Sequence, residues 1–317
     1  MYRGRVRKKN QKKLFIDIAK HLWLVVFALA VISCPEEDDA SDENGKTSDD
    51  DGSDKDDAGT GTEGSDTVNQ MSTGCNASAS SPAVGELEIT IEGAEAPYIV
   101  TVPDSYDGTT PIPLVFAFHG ATRTHTDMYN IDAARIKTTL GAANVMVYPK
   151  SQGGSAWTGP NEREINAQFF ETLYEKMLAD YCIDTTRVFA VGLSSGGGFT
   201  NILACRYGDI LRGVGPVSGY LTESDCIGDV AAMVIHGERD SVVPPINGEQ
   251  SRDHYLTRNG CADTFVNLEI DPCVQYEGCD DGLPVAWCQH GEPTYEDTNH
   301  GWPSFASEAL AAFFASL

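Results

Sequence analysis

The chain has 317 residues, enough for one large domain with appendages, and 41% of them are hydrophobic, as in an ordinary globular protein. Its formal charge is −25, built from +7 over residues 1–33, −12 over residues 35–74 and −20 over the remainder. A surface this acidic repels phosphate backbones, which argues against nucleic acid as a partner and against anionic polymers as preferred substrates.

In chain order, Arg3, Arg5, Arg7, Lys8, Lys9, Lys12 and Lys13 form a basic head, and Leu22 to Ile32 is an apolar run too short to span a bilayer comfortably. The pair reads as an export signal. Val31-Ile32-Ser33-Cys34 resembles a bacterial lipobox, which implies cleavage before Cys34 and lipidation of that cysteine. An ordinary signal peptide cut elsewhere and an uncleaved anchor are the alternatives. Each takes the protein out of the cytoplasm, secreted or lipid-anchored, with the N-terminal lipid as its link to a membrane.

Residues 35–74 are Asp, Glu, Ser, Gly and Thr with almost nothing apolar, so they cannot bury enough surface to offset the entropy of ordering. They are expected to form a disordered, self-repelling linker between the 1–34 signal and a folded domain over 75–317. Eight cysteines lie in that domain: Cys75, Cys182, Cys205, Cys226, Cys261, Cys273, Cys279 and Cys288. An even number in an exported chain implies up to four disulfides, and the absence of any Cys-x-x-Cys pair argues against a zinc site.

Glu86 to Ile91 and Tyr98 to Val102 are β-rich and read as an entry hairpin at a sheet edge. Ile112 to Phe118 is almost continuously apolar, as expected of a strand covered on both faces. Strands at Asn144–Tyr148, Arg187–Val191, Leu211–Val217 and Val230–Ile235 then alternate with helical segments at Glu164–Tyr181, Gly197–Tyr207 and Gly248–Asn259, and Ser304–Leu317 closes the chain as an amphipathic helix. The alternation predicts an α/β fold with a mostly parallel sheet and helices on both faces. Residues 260–293 hold four of the cysteines without clear periodicity, and read as a disulfide-tied insertion with short strands.

Gly192-Leu193-Ser194-Ser195-Gly196 stands between a strand and a helix, and has the pattern of a nucleophile elbow. The turn is sharp, so the serine hydroxyl is lifted off the sheet, and the following helix directs its N-terminal N–H groups at charge developing beside it. A serine hydroxyl also needs a base, and the base needs a group that fixes its tautomer. His300, in the polar loop Thr298 to Pro303, is the better candidate base, with His290 the alternative. His119 and His236 each precede a glycine at a strand end, where a loop-shaping role is expected. Asp240, in the loop after a buried strand, is the candidate acid, with Glu238 the weaker choice. The chain order Ser194, Asp240, His300 is that of an α/β-hydrolase. The N–H of Ser195 and an N–H from the loop after Phe118, that of Ala121, are the expected oxyanion donors. Trp157 and Trp302 lie on loops expected at the mouth of the site, where they either stack on a substrate ring or pack inside.

Together these marks resemble the secreted α/β-hydrolase esterases of the feruloyl esterase and polyhydroxybutyrate depolymerase group, carbohydrate esterase family 1 in the broad sense. The resemblance rests on Gly74-Cys75, Phe116-Ala117-Phe118-His119-Gly120, Cys182 to Phe189, Gly192 to Gly197, His236-Gly237 with Asp240, and His300 before Trp302-Pro303-Ser304. It implies a monomeric serine esterase with Ser194 as nucleophile, Asp240 as orienter and His300 as base. No metal or cofactor is needed. The implied substrate is an ester on a polysaccharide or polyester: first a hydroxycinnamate on plant cell-wall polysaccharide, otherwise a hydroxybutyrate polyester or acetylated xylan. A surface lipoprotein that keeps the fold only to bind carbohydrate or peptide is the reading from another class.

Overall fold

The computed structural model describes residues 71–75, 82–131, 135–294 and 297–317. The expected signal, Cys34 and nearly all of the expected linker lie outside these residues. Met71 to Gly74, assigned to the linker from composition, are already attached to the folded region. Met71 bridges Asp184, and Ser72 accepts from the N–H of Ile183 at 2.8 Å and donates to the carbonyl of Tyr181 at 2.6 Å. The Cys75–Cys182 disulfide and the hydrogen bonds of Ser72, Thr73 and Gly74 tie these four residues to the end of a helix and the start of a strand.

A ten-stranded sheet organises the described residues. Its strands in chain order are β1 (Gly85–Ile91), β2 (Ala94–Thr101), β3 (Ile112–Phe118), β4 (Val145–Pro149), β5 (Ile183–Leu193), β6 (Gly213–Val217), β7 (Ala231–Gly237), β8 (Phe265–Asn267), β9 (Cys273–Tyr276) and β10 (Val285–His290). They lie side by side as β1-β2-β4-β3-β5-β6-β7-β10-β9-β8. The six from β4 to β10 in that order pair in parallel, and the outer pairs are antiparallel. The predicted entry hairpin is β1 and β2.

Apolar residues on successive positions of a strand serve opposite faces. On one face Leu114, Phe116 and Phe118 of β3 meet Phe169, Phe170, Leu173 and Met177 of α3 (Glu162–Asp180) and Phe199, Ile202 and Leu203 of α4 (Ser195–Arg206). On the other, Val115 and Ala117 belong to the core formed with Met128 of α1 (His125–Tyr129), Ile136 of α2 (Arg135–Thr138) and Leu310, Phe313 and Phe314 of α6 (Ala306–Ala315). The remaining helix, α5 (Pro245–Arg258), follows β7. The short α1 and α2 have too few turns to show a periodicity in sequence.

The disulfide-tied region differs from its expected form. It carries two disulfides, Cys261–Cys279 and Cys273–Cys288, a pairing the sequence left open, but β10 inside it is a core strand, paired in parallel with β7 and buried at Val285 to Cys288. It reads as irregular because both its faces are covered, which erases the alternation. Cys205–Cys226 completes four disulfides and uses all eight cysteines of the domain. That set fits an extracellular protein.

Candidate active site

β5 ends at Leu193 and α4 begins at Ser195, with Ser194 between them at φ 56° and ψ −116°. A non-glycine residue there is strained, and the surroundings hold it. The N–H of Ser194 donates to the carbonyl of Val217 at 2.9 Å, and its own carbonyl accepts from Gly198 at 2.9 Å. The flanking glycines are required by space. A Cβ on Gly196 would overlap the carbonyls of Phe118 and His119, and one on Gly192 would overlap the carbonyl of Gly196. This close packing brings the helix N-terminus against the end of β3.

Asp240 follows β7, and His300 lies in the loop before α6. Asp240 is 3% exposed. Its Oδ1 accepts from the N–H groups of Val242 at 2.9 Å and Val243 at 2.8 Å, and its Oδ2 accepts from His300 Nδ1 at 2.7 Å. Burial alone would raise its pKa, but the bonds from His300, Val243 and Val242 outweigh it and hold the carboxyl below its usual range. His236, buried at the end of β7, places Nε2 2.9 Å from the carbonyl of Val243 and 3.5 Å from Asp240 Oδ2. Burial pushes its imidazole below the usual value.

Ser194 and His300 line one cavity of about 550 Å³ together with Ala121, Arg123, Met128, Val242 and Trp302. Of the predicted residues, Ala121, Ser194, His300 and Trp302 therefore meet there, and Asp240 stands behind His300. Ser195 begins α4, and its Oγ accepts from the N–H of Trp157 at 3.0 Å. His119 shapes the loop carrying Ala121: its Nδ1 bonds the carbonyl of Gly120 at 2.8 Å and its Nε2 accepts from Ser151 N–H at 3.1 Å. Burial holds this imidazole at about 4, well below its usual value.

Two expectations change. Trp157 is fully buried, stacked on Phe199 at 5.1 Å and edge-on to Phe118 at 5.0 Å, so it is a core residue and presents no face to a substrate. A lone tryptophan between glycine-rich turns gave no sign of this, because its partners come from β3 and α4. His290, the alternative base, is buried at the end of β10 against Phe305, away from the cavity lining, and among the described residues neither ring nitrogen has a hydrogen-bond partner. Asn299 was missed. It stands next to His300, and its sequence signal is the readiness of Asn to take left-handed backbone.

No protein-family model matches the sequence. Among characterised proteins, feruloyl esterase D of Neurospora crassa is 29% identical over 266 residues, which cover 77% of this chain and 90% of that enzyme. Feruloyl esterase C of Emericella nidulans is 26% identical over 235 residues, 65% of this chain and 86% of its own. Among solved structures, a thermostable esterase superposes with a TM-score of 0.54 at 18% identity, over 73% of this chain and 62% of that one. The acetyl xylan esterase from Aspergillus awamori gives 0.51 at 16%, over 65% and 92%. The superpositions establish the fold, that of an α/β-hydrolase, and with the sequence relatives the chain is a carboxylic ester hydrolase similar to the feruloyl esterases.

Proposed function

We propose that this carboxylic ester hydrolase is a serine esterase in which Ser194 is the nucleophile, His300 the general base and Asp240 the group that orients the base, and that it releases hydroxycinnamates from plant cell-wall polysaccharide. The observation that carries the reading is the 2.7 Å bond between His300 Nδ1 and Asp240 Oδ2, at a cavity that also holds Ser194. An ionised Asp240 keeps the imidazole proton on Nδ1 and so makes Nε2 the basic nitrogen.

Nε2 takes the Ser194 proton as Oγ attacks the ester carbonyl. The N–H groups of Ser195 and Ala121 receive the oxyanion, with the α4 N-terminus adding its partial charge. His300 returns the proton to the leaving alcohol and then draws one from water, which releases the acid and regenerates Ser194. No step requires a metal or cofactor.

The substrate class draws on the two relatives, both named feruloyl esterases. It draws also on a cavity whose apolar lining, Met128, Ile131, Leu193, Val242 and Trp302, suits an aryl-acyl group. The export signal and lipidation at Cys34 belong to the same proposal, an enzyme tethered outside the cytoplasm. A fluorophosphonate probe tests the nucleophile: wild type should label and Ser194→Ala should not, and equal labelling of the two would overturn the assignment. Hydrolysis of methyl ferulate, acetylated xylan and a hydroxybutyrate oligomer tests the substrate. Methyl ferulate should be cleaved with the highest kcat/KM.

A further inference from the structure

We infer that Asn299 is a positioning residue for the proposed reaction, a side-chain cross-link that fixes the acid loop against the base loop. The inference rests on the assignment of Asp240 and His300 made above. Asn299 precedes His300 and is 4% exposed. Its Oδ1 accepts from the backbone N–H of Arg239, the residue before Asp240, at 2.9 Å, and its Nδ2 donates to the carbonyl of Glu292 at the start of the base loop. One carboxamide thus joins both loops within one residue of the acid and one residue of the base.

The backbone around it is built for the same approach. Asn299 has φ 61°, a left-handed conformation that asparagine adopts more readily than most residues. On the far side of Asp240, the N–H of Ser241 donates to the carbonyl of Thr298 at 3.1 Å. β7 can end this close to the base loop because residue 237 is glycine: a Cβ there would overlap the Asn299 carbonyl. Residues 239 and 241 are therefore bonded to residues 299 and 298, and the segment held between these two bonds carries the carboxylate that receives His300 Nδ1. The first bond runs through a side chain, so it can be removed without disturbing the backbone.

A reacting group displaced by about 1 Å loses roughly 100-fold in rate, so removal of the cross-link should act on kcat. The test uses the full chain with Asn299→Gly, which keeps the left-handed backbone and deletes the carboxamide, and Asn299→Asp, which keeps an acceptor for the Arg239 N–H. With p-nitrophenyl acetate and methyl ferulate, Asn299→Gly should lose roughly 100-fold in kcat with KM within about twofold of wild type. The loss should appear well below the melting transition, and Asn299→Asp should lie between the two. A kcat for Asn299→Gly within about twofold of wild type would overturn the inference, as would an Asn299→Asp variant no better than the glycine one. Ser194→Ala runs alongside: if it stays inactive the cross-link alone has failed, whereas if it is active the assignment of the site has failed.

Discussion

Trp157 Nε1 donates to the backbone carbonyl of His119 at 2.8 Å, so an indole sealed in the core is bonded to the loop that leaves β3. Its main-chain N–H meanwhile donates to Ser195 Oγ, beside the elbow. The residue connects two sides of the site without entering the cavity. Trp157→Phe should leave the carbonyl of His119 without its buried donor and cost about 1–3 kcal/mol, read from urea unfolding. KM for aryl esters should hardly change. Trp302→Ala should do the reverse for substrate, raising KM for methyl ferulate, because Trp302 lines the cavity.

Asp240→Asn should lower kcat by a factor on the order of 10⁴, the size of effect seen when an acid that fixes a histidine tautomer becomes an amide. The two N–H groups that Oδ1 accepts from will turn the amide oxygen toward Val242 and Val243. Its NH₂ then faces His300 Nδ1 and favours the wrong tautomer. Steady-state kinetics on p-nitrophenyl acetate, with KM unchanged within a few-fold, checks this.

Stability should fall as pH is lowered from 6.5 toward 4. His119 is held neutral in the fold at about 4 against an ordinary 6.5, so the unfolded chain takes up its proton first and gains stability on acidification. The contribution is complete above 6.5 and lost by about pH 4, roughly 3 kcal/mol in all at about 1.4 kcal/mol per unit. His236, His254 and His290, also lowered by burial, act in the same direction. The lowered pKa of Asp240 adds its own loss only below its ordinary 3.8. Urea unfolding at pH 7 and pH 4.5 should show the decline, and His119→Gln should make it shallower.

Cys75–Cys182 closes a span of 107 residues, the longest of the four. A loop of about this size restricts the unfolded chain by an amount worth roughly 4–5 kcal/mol, less any structure already present there. The Cys75→Ser, Cys182→Ser double variant should therefore melt well below wild type. Activity at low temperature should survive, because the bond lies at the start of β5 and the nucleophile at its end.

The sheet could be read from the chain because its central strands are long apolar runs between recognisable helices. The elbow was legible for a related reason: a serine between glycines, after a strand and before a helix, leaves few conformations open. His300 and Asp240 could be nominated from loop position, but their 2.7 Å bond depends on the parallel pairing of β10 with β7, and β10 has no periodicity to reveal it. For Trp157 the sequence left stacking on a substrate and packing inside both open, and for the same reason. Its burial is decided by Phe118 and Phe199, distant in sequence, and no local pattern around it records their approach.

The crowding at Gly192, Gly196 and Gly237 has a consequence for how the gene tolerates change. None of the three adopts a positive φ, so alanine would fit each backbone conformation, yet at all three a single methyl group meets main-chain atoms that cannot move aside. A saturation library scored for esterase activity should therefore show these positions as narrow as Ser194 itself, although none of them carries a functional group. The permitted variation would map the volume around the nucleophile rather than its chemistry.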